Sequence, residues 1–309
     1  MTKIFGASGN SCRRTAKCGI IGCGALGGEV ARQLVGSALF GEMVLIDDSC
    51  SSHNSRNSGN AAEALSHEIT AGFPFLPPVN IYAGDYADLG DCCFAVITQS
   101  ADFPSVIKKI KRVTTDAVLL VAAERDDILT HLATNVFEYP PSKVLGLGTF
   151  ADTVRLNLLI SNHLGVERRG VCAFIIGRQG PDELAAWSCA TVCGMPMERY
   201  FQLCGSGYDR SMPASFFEEI RATPHTSDYA TALAVCNIAR AILSDGDAVM
   251  TVCTHTAGAY GQDGICLSLP CIVGLGGVRR VLEIPLDNNE EEKLCRSAAK
   301  LSKEIKEYY

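Results

Sequence analysis

The sequence predicts an α/β protein: a doubly wound parallel sheet in the first half, continued by an α+β part in the second. Three observations carry this reading. Short apolar runs alternate with helix-like patterns through residues 17–148, the mark of parallel strands joined by crossover helices. One of these runs, Cys18-Gly19-Ile20-Ile21, passes through Gly22-Cys23-Gly24-Ala25-Leu26-Gly27 directly into a helical pattern at Val30, Leu34, Val35 and Leu39. The stretch 248–285 is instead rich in Val, Ile, Cys and Gly with polar breaks, as antiparallel strands require.

The glycine turn is the element the rest is arranged around. Gly22 permits the tight bend, Gly24 leaves room for a pyrophosphate, and Gly27 lets the helix pack close to its strand. Phosphates would rest on the free N–H groups and positive end of that helix, at Ala25 and Leu26. Three spaced glycines are weak evidence in a chain holding 29 of them; the context strengthens them. Met43-Val44-Leu45-Ile46 reads as a second strand ending in Asp47, 20 residues after Gly27. A carboxylate there accepts both ribose hydroxyls of NAD and repels the extra phosphate of NADP. The predicted cofactor is therefore NAD. The residues expected to hold it are Gly22, Gly24, Ala25, Leu26, Gly27, Asp47 and, at the end of the strand 93–98, Thr98.

The other elements follow in order. Residues 1–16 read as a polar arm and 48–60 as a polar loop. Strand 18–22, helix 26–39 and strand 43–47 precede helix 60–70, strands 79–83 and 93–98, a helix near 104–112 and strand 117–122. Helix 126–135 leads to strand 143–146. A long helix, 151–163, opens the second part, so the division is 1–148 for the dinucleotide-binding domain and 149–309 for the substrate domain. Strand 170–176, the loop Gly177-Arg178-Gln179-Gly180-Pro181-Asp182, and helices 213–221 and 228–243 come next. The tail 288–308 reads as an amphipathic helix with Leu294, Ala298, Leu301 and Ile305 on one side.

Composition bounds the function. Hydrophobic content of 47% and charge of 20% are globular values, and a net charge of −7 argues against nucleic acid as a partner. The basic run Lys108-Lys109-Ile110-Lys111-Arg112 reads as the solvated face of a helix. No apolar run is long enough for a membrane helix. Met1 to Lys17 lacks the apolar core of a secretory signal, so a cytoplasmic location is expected. The 15 cysteines form no Cys-x-x-Cys; Cys172, Cys236, Cys253, Cys266 and Cys271 sit in apolar segments, where a thiol acts as a small hydrophobe. Neither Cys92-Cys93 nor Cys189 with Cys193 is completed to a tetrahedral set, so no metal is expected.

Val144-Leu145-Gly146-Leu147-Gly148-Thr149-Phe150-Ala151-Asp152-Thr153-Val154-Arg155 resembles the Gly-x-Gly-Thr-x-Leu-Asp-Ser-x-Arg motif of L-lactate and malate dehydrogenases. The resemblance continues at Asp127-Ile128-Leu129-Thr130, Trp187-Ser188, His225-Thr226-Ser227, Tyr260-Gly261 and Ser268-Leu269-Pro270. It implies an NAD-binding Rossmann domain joined to an α+β substrate domain. It also implies that Arg155 binds the substrate carboxylate, Asp152 orients the proton-transfer residue and Thr226 lines the pocket beside His225. By the same resemblance the helix at 59–70 is a subunit contact, and a homodimer or homotetramer is expected.

Three departures fall on the chemistry. The family's catalytic His stands 24 residues after the substrate Arg, where this chain has Gln179; an amide donates a hydrogen bond but supplies no proton near neutral pH. The Asn-Pro after the fourth core strand is replaced by Glu124-Arg125. Between Thr98 and Glu124 the chain is short, and the mobile lid with its second Arg is missing. Glu124, if buried next to Asp152, and His225 are the candidates to replace the proton donor; Arg125 or Arg178 are candidates to replace the lid Arg. The expected function is an NAD-dependent oxidoreductase on a small 2-hydroxy or 2-oxo acid with altered catalytic residues. The alternative is a catalytically impaired NAD-binding paralogue serving as a sensor or assembly partner.

Overall fold

The computed structural model describes residues 16–48, 60–204, 211–222, 227–244 and 246–308. His225 and Thr226 lie outside the described residues, as does most of the 48–60 loop.

The first half is a parallel sheet with strands β1 (Lys17–Ile21), β2 (Glu42–Ile46), β3 (Asn80–Ala83), β4 (Phe94–Ile97), β5 (Val118–Val121) and β6 (Val144–Gly146). They lie in the order β3-β2-β1-β4-β5-β6. All side chains of β1, β4 and β5 are buried, as strands covered on both faces demand. Crossovers are helical: α1 (Ala25–Gly36), α2 (Ala61–Ala71), α3 (Phe103–Val113) and α4 (Asp126–His131). Helix α3 buries Phe103, Val106, Ile107 and Ile110. Its basic run is more than a solvated face, because Lys109 pairs with Asp48 at 2.9 Å and lies 4.8 Å from the centre of the Tyr86 ring.

Helix α5 (Phe150–Leu164) leads into short strands β7 (Val171–Cys172), β8 (Ile175–Gly177), β9 (Glu183–Ala185), β10 (Thr191–Val192) and β11 (Met195–Pro196). Helices α6 (Met197–Cys204), α7 (Met212–Ala222) and α8 (Asp228–Leu243) follow, then strands β12 (Ala248–His255), β13 (Cys266–Gly274) and β14 (Gly277–Val281), and helix α9 (Asn288–Tyr308). The large sheet does not stop at the end of the first half. It continues from β6 to β12, β13, β8 and β9, with β14 also on β13, and helix α1 packs on α8.

Most expected elements stand within a few residues of their predicted bounds. The strand expected at 170–176 is the main correction. It is two strands in different sheets: β7 pairs with β10 in a small antiparallel sheet, while β8 pairs with β13 and β9. That split also corrects Cys172, which is exposed while Val171 is buried, because neighbouring residues in a strand face opposite sides. Cys236, Cys253, Cys266 and Cys271 are buried as expected. The tail helix buries Leu294, Ala298, Leu301 and Ile305. A second, smaller apolar cluster joins Leu156 and Ile160 of α5 to Phe201, Phe216 and Ile220. No helix among the described residues is long and apolar enough to cross a membrane.

Candidate active site

Most candidate residues described by the structure follow the carboxyl ends of parallel strands, while Arg178 and Gln179 lie in the loop after antiparallel β8. The first group surrounds the switch between β1 and β4, where crossovers on either side leave a crevice. Gly22 has φ +98° and donates to the Ile46 carbonyl at 2.8 Å. A Cβ on Gly27 would stand 1.8 Å from the Gly22 carbonyl oxygen, whereas one on Gly24 meets nothing within 4 Å. The spacing thus has two different causes: Gly27 is forced by packing inside the turn, and Gly24 faces open space. The Thr98 hydroxyl donates to the Gly22 carbonyl at 2.8 Å and latches the turn.

Helix α1 begins at Ala25 with Leu26 in its first turn, and no side chain caps it, so its leading N–H groups point toward the crevice. Gly22, Cys23, Gly24, Gly27, Asp47, Ala61, Thr98 and Gln99 border a cleft of about 280 Å³. Of the two neighbouring carboxylates, Asp47 borders this cleft. Asp48 is held by Lys109 at 2.9 Å and the Tyr86 hydroxyl at 2.7 Å, and the Lys109 ammonium and Tyr86 hydroxyl hold it below the usual carboxylate range against the opposing effect of burial. A glycine cradle a Cβ would fill, an uncapped helix start and a carboxylate one strand away fit a dinucleotide.

The second group stands where β6 ends. Gly148 has φ +57°, and a Cβ there would meet Ser268 Oγ at 2.4 Å and the Cys253 amide nitrogen at 2.7 Å. The Gly-x-Gly-Thr segment is therefore a crossing point of β6 with β12 and β13. Its backbone is tied further: the Gly148 N–H donates to buried Asp126 at 2.6 Å, and the Thr149 hydroxyl to the Ile175 carbonyl at 2.5 Å. This fixes the start of α5 and, one and two turns in, Asp152 and Arg155. Arg155 Nη1 donates to Asp152 Oδ1 at 2.8 Å. Asp152 is buried and Arg155 partly so.

Asp152, Arg155, Gly180, Pro181, Glu183, Ile220 and Arg221 line a cavity of about 230 Å³. Two guanidinium groups and two carboxylates share it, a donor set that suits a small anion with a polar group next to its charge. Gln179 is half-buried in the loop between β8 and β9 and is not among the residues lining this cavity.

Three expectations are corrected. Glu124 is exposed at the end of β5, so burial beside Asp152 does not occur. Arg178 is committed elsewhere: its Nε donates to Asp127 at 2.8 Å, and its two Nη atoms grip Glu304 of α9 at 2.5 and 2.8 Å. Arg125 also donates to Glu304, at 2.5 Å. Neither arginine replaces a lid residue; both brace the tail helix. The lid itself has no counterpart, since residues 98–102 connect β4 straight to α3.

Sequence reasoning stopped the loop at Asp182 and so missed Glu183, the first residue of β9. It is buried, and its carboxylate accepts from the Gly180 N–H at 3.3 Å. Burial pushes its carboxyl up to about 7, with the nearby Asp152 adding to the shift and the Gly180 N–H, Arg221 and Arg155 opposing it. A Glu entering a strand after a glycine loop was the available signal. Arg221, on α7, carried none.

The family signature residues also find physical roles. Glu290 of α9 accepts from the N–H groups of Trp187 and Ser188 at 2.7 and 3.1 Å. Tyr260 donates its hydroxyl to the Ile284 carbonyl at 2.9 Å.

Residues 149–309 match the family model for the lactate/malate dehydrogenase, alpha/beta C-terminal domain. An L-lactate dehydrogenase of Acetivibrio thermocellus is 34% identical, over 94% of this chain and 96% of its own. One from a Thermoanaerobacter species is 32% identical, over 94% and 98%. Among solved structures, a minor L-lactate dehydrogenase of Enterococcus mundtii superposes with a TM-score of 0.85 at 24% identity, covering 96% of this chain and 99% of the other. A lactate dehydrogenase from a Medee basin deep-sea metagenome gives 0.85 at 25%, covering 95% and 98%.

Proposed function

The chain belongs to the lactate/malate dehydrogenase family, and from that premise we propose that it is an NAD-dependent oxidoreductase of a small 2-hydroxy or 2-oxo acid, working with altered catalytic residues. One observation carries the reading. The Gly22–Gly27 cradle and the Arg155 cavity open on the same carboxyl-end edge of one sheet, after β1 and β6. Bound NAD supplies a two-electron acceptor for a hydride, or a donor once reduced. Asp47 receives the ribose hydroxyls. Arg155, with one Nη engaged by Asp152, offers its remaining N–H groups to the substrate carboxylate, a fork suited to that planar group. Gln179 supplies at most a neutral hydrogen bond.

The nucleotide half is 1–148 and the substrate half 149–309 in this reading, and the location is cytoplasmic. Assembly as a homodimer or homotetramer is part of the proposal. Val154, Leu158 and Leu233 are exposed on α5 and α8, and sedimentation of the purified chain reads the state directly.

Titration with NADH, followed by a panel of 2-oxo acids watched at the nicotinamide absorbance band, tests the reading. Binding and turnover support it. Binding without turnover, even in Gln179→His, replaces it with the second reading: a paralogue that binds NAD without chemistry, for which Gln179 is the specific argument. Failure to bind either nicotinamide cofactor overturns both.

A further inference from the structure

We propose that Glu183 is the proton-transfer residue of the Arg155 cavity, taking the role that the family gives to a histidine where this chain carries Gln179. The inference rests on the dehydrogenase reading and names the acid that reading lacks.

The geometry selects Glu183 from the other acidic groups. It lines the same cavity as Arg155 and Asp152, where a substrate held by its carboxylate places the adjacent carbonyl. Its backbone is the first residue of β9, paired with Gly177 of β8, so its Cα is held by the sheet. Among the described residues its carboxylate accepts a hydrogen bond from the Gly180 N–H, at a long 3.3 Å, and a carboxyl group has further capacity beyond that contact. Asp126 is the other buried carboxyl pushed up to about 7, by burial before any other cause. It is fully enclosed against Gly146 and Gly148 and borders none of the cavities described above. Asp152 is bound to Arg155, and Glu124 is outside the cavity.

The groups facing Glu183 set its proton affinity. Asp152 and Arg155 come from α5 and Arg221 from α7; the adjoining groove that Glu183 also lines adds Glu218 of α7, Asp287, and Glu290, Lys293, Arg296 and Lys300 of α9, the last paired with Asp182. Burial and the Asp152 charge favour the protonated form; the guanidinium groups of Arg221 and Arg155 oppose them. The balance falls near neutral pH, where one carboxyl can both give and take a proton.

In the reductive direction a bound reduced nicotinamide would supply the hydride that forms the new C–H bond at the carbonyl carbon, being itself oxidised. The carbonyl π pair moves onto oxygen, which forms an O–H bond with the proton of the Glu183 carboxyl. The resulting carboxylate takes a proton back from water. In the oxidative direction the carboxylate removes the hydroxyl proton, so reduction needs the acid form and oxidation the base form.

The test is Glu183→Gln, which keeps shape and removes the proton. In the wild type, reduction of a 2-oxo acid falls as pH rises through about neutral, and oxidation of the hydroxy acid falls as pH drops through the same range. In Glu183→Gln both limbs vanish and kcat drops by about 10²-fold or more. Asp91→Asn, an exposed carboxylate paired with Lys17 beside β1, keeps both limbs.

A readout without turnover is the infrared protonated-carboxyl band of cofactor-free protein. Asp126 and Glu183 both titrate near neutral pH, and Glu183→Gln removes one of the two bands. Should that variant not fold, Glu183→Asp is expected to retain a shifted limb, and the band's titration in the wild type still decides. Unchanged limbs in Glu183→Gln overturn the assignment and leave the dehydrogenase reading standing. A single band near neutral pH, lost in Asp126→Asn, also overturns it. NADH binding without turnover in the wild type overturns both together.

Discussion

The two clefts at the carboxyl edge of the sheet are built from different materials. The cradle after β1 is made almost wholly of backbone: Gly22 in a left-handed conformation, Gly27 pressed to 1.8 Å of a carbonyl by any added Cβ, and a helix start with no capping side chain. The cavity after β6 is made of side chains, two cationic and two acidic, brought in from α5, β9 and α7. A backbone site tolerates almost nothing at its defining positions, so its pattern stays in the sequence. A side-chain site can exchange one charged group for another from a neighbouring element and keep its character. Here the cleft is bordered by Gly22, Gly24, Gly27, Asp47 and Thr98, each named from the sequence, and not by Ala25 or Leu26, while the cavity carries Glu183 and Arg221, which no motif announced.

Three substitutions probe this contrast. Gly27→Ala carries the largest expected effect: the new Cβ collides with the Gly22 carbonyl, destabilising the fold by about 1–3 kcal/mol and abolishing NADH binding in a fluorescence titration. Retained binding would mean that the turn can give way, and the distinction between the two clefts would fail.

Arg178→Met comes next, beside the cavity rather than in it. It leaves buried Asp127 without its cation and leaves Glu304 to Arg125 alone, at about 3 kcal/mol in chemical denaturation. Glu304 is held below the ordinary carboxylate value of 4.5, first by its bond from Arg178. Its stabilising contribution is therefore present above that value and is lost as pH falls through the lowered one. The variant should accordingly lose less stability than the wild type on acidification below the ordinary range.

Asp47→Ala has the smallest effect. Removing charge-assisted hydrogen bonds to the ribose costs about 1.5 kcal/mol, or roughly tenfold in NADH affinity, and NADPH should gain relative to NADH. An unchanged preference would assign nucleotide selection to another residue of the cleft, such as Gln99.

The fold was legible because its signals are local. Strand–helix alternation, the glycine spacing and the Leu294-Ala298-Leu301-Ile305 stripe each lie within one element, and each reappears where expected. What stayed hidden depends on partners far apart in the chain. Arg178 reads as a candidate for the missing lid Arg, yet Glu304 lies 126 residues away in sequence and occupies its fork. The break of 170–176 into β7 and β8 follows from two different sheets competing for one apolar run. Glu183 offered only the faint signal of a Glu entering a strand after a glycine loop, for a similar reason: its character comes from Asp152 and two arginines that only the folded chain assembles around it.

The single sheet running through both halves has a mechanical meaning for the chemistry. Strand β6 is bonded to β5 on one side and β12 on the other, so the cradle and the cavity are mounted on one ruled plate. Register in such a plate moves only in steps, since a one-residue slip turns buried side chains outward. The gap between the two clefts is thus quantised, and a longer or shorter substrate has to be met at the mouth by exchanging side chains such as Arg221. If the proposed dehydrogenase activity holds, then without a lid between β4 and α3 the substrate would be measured with a fixed gauge.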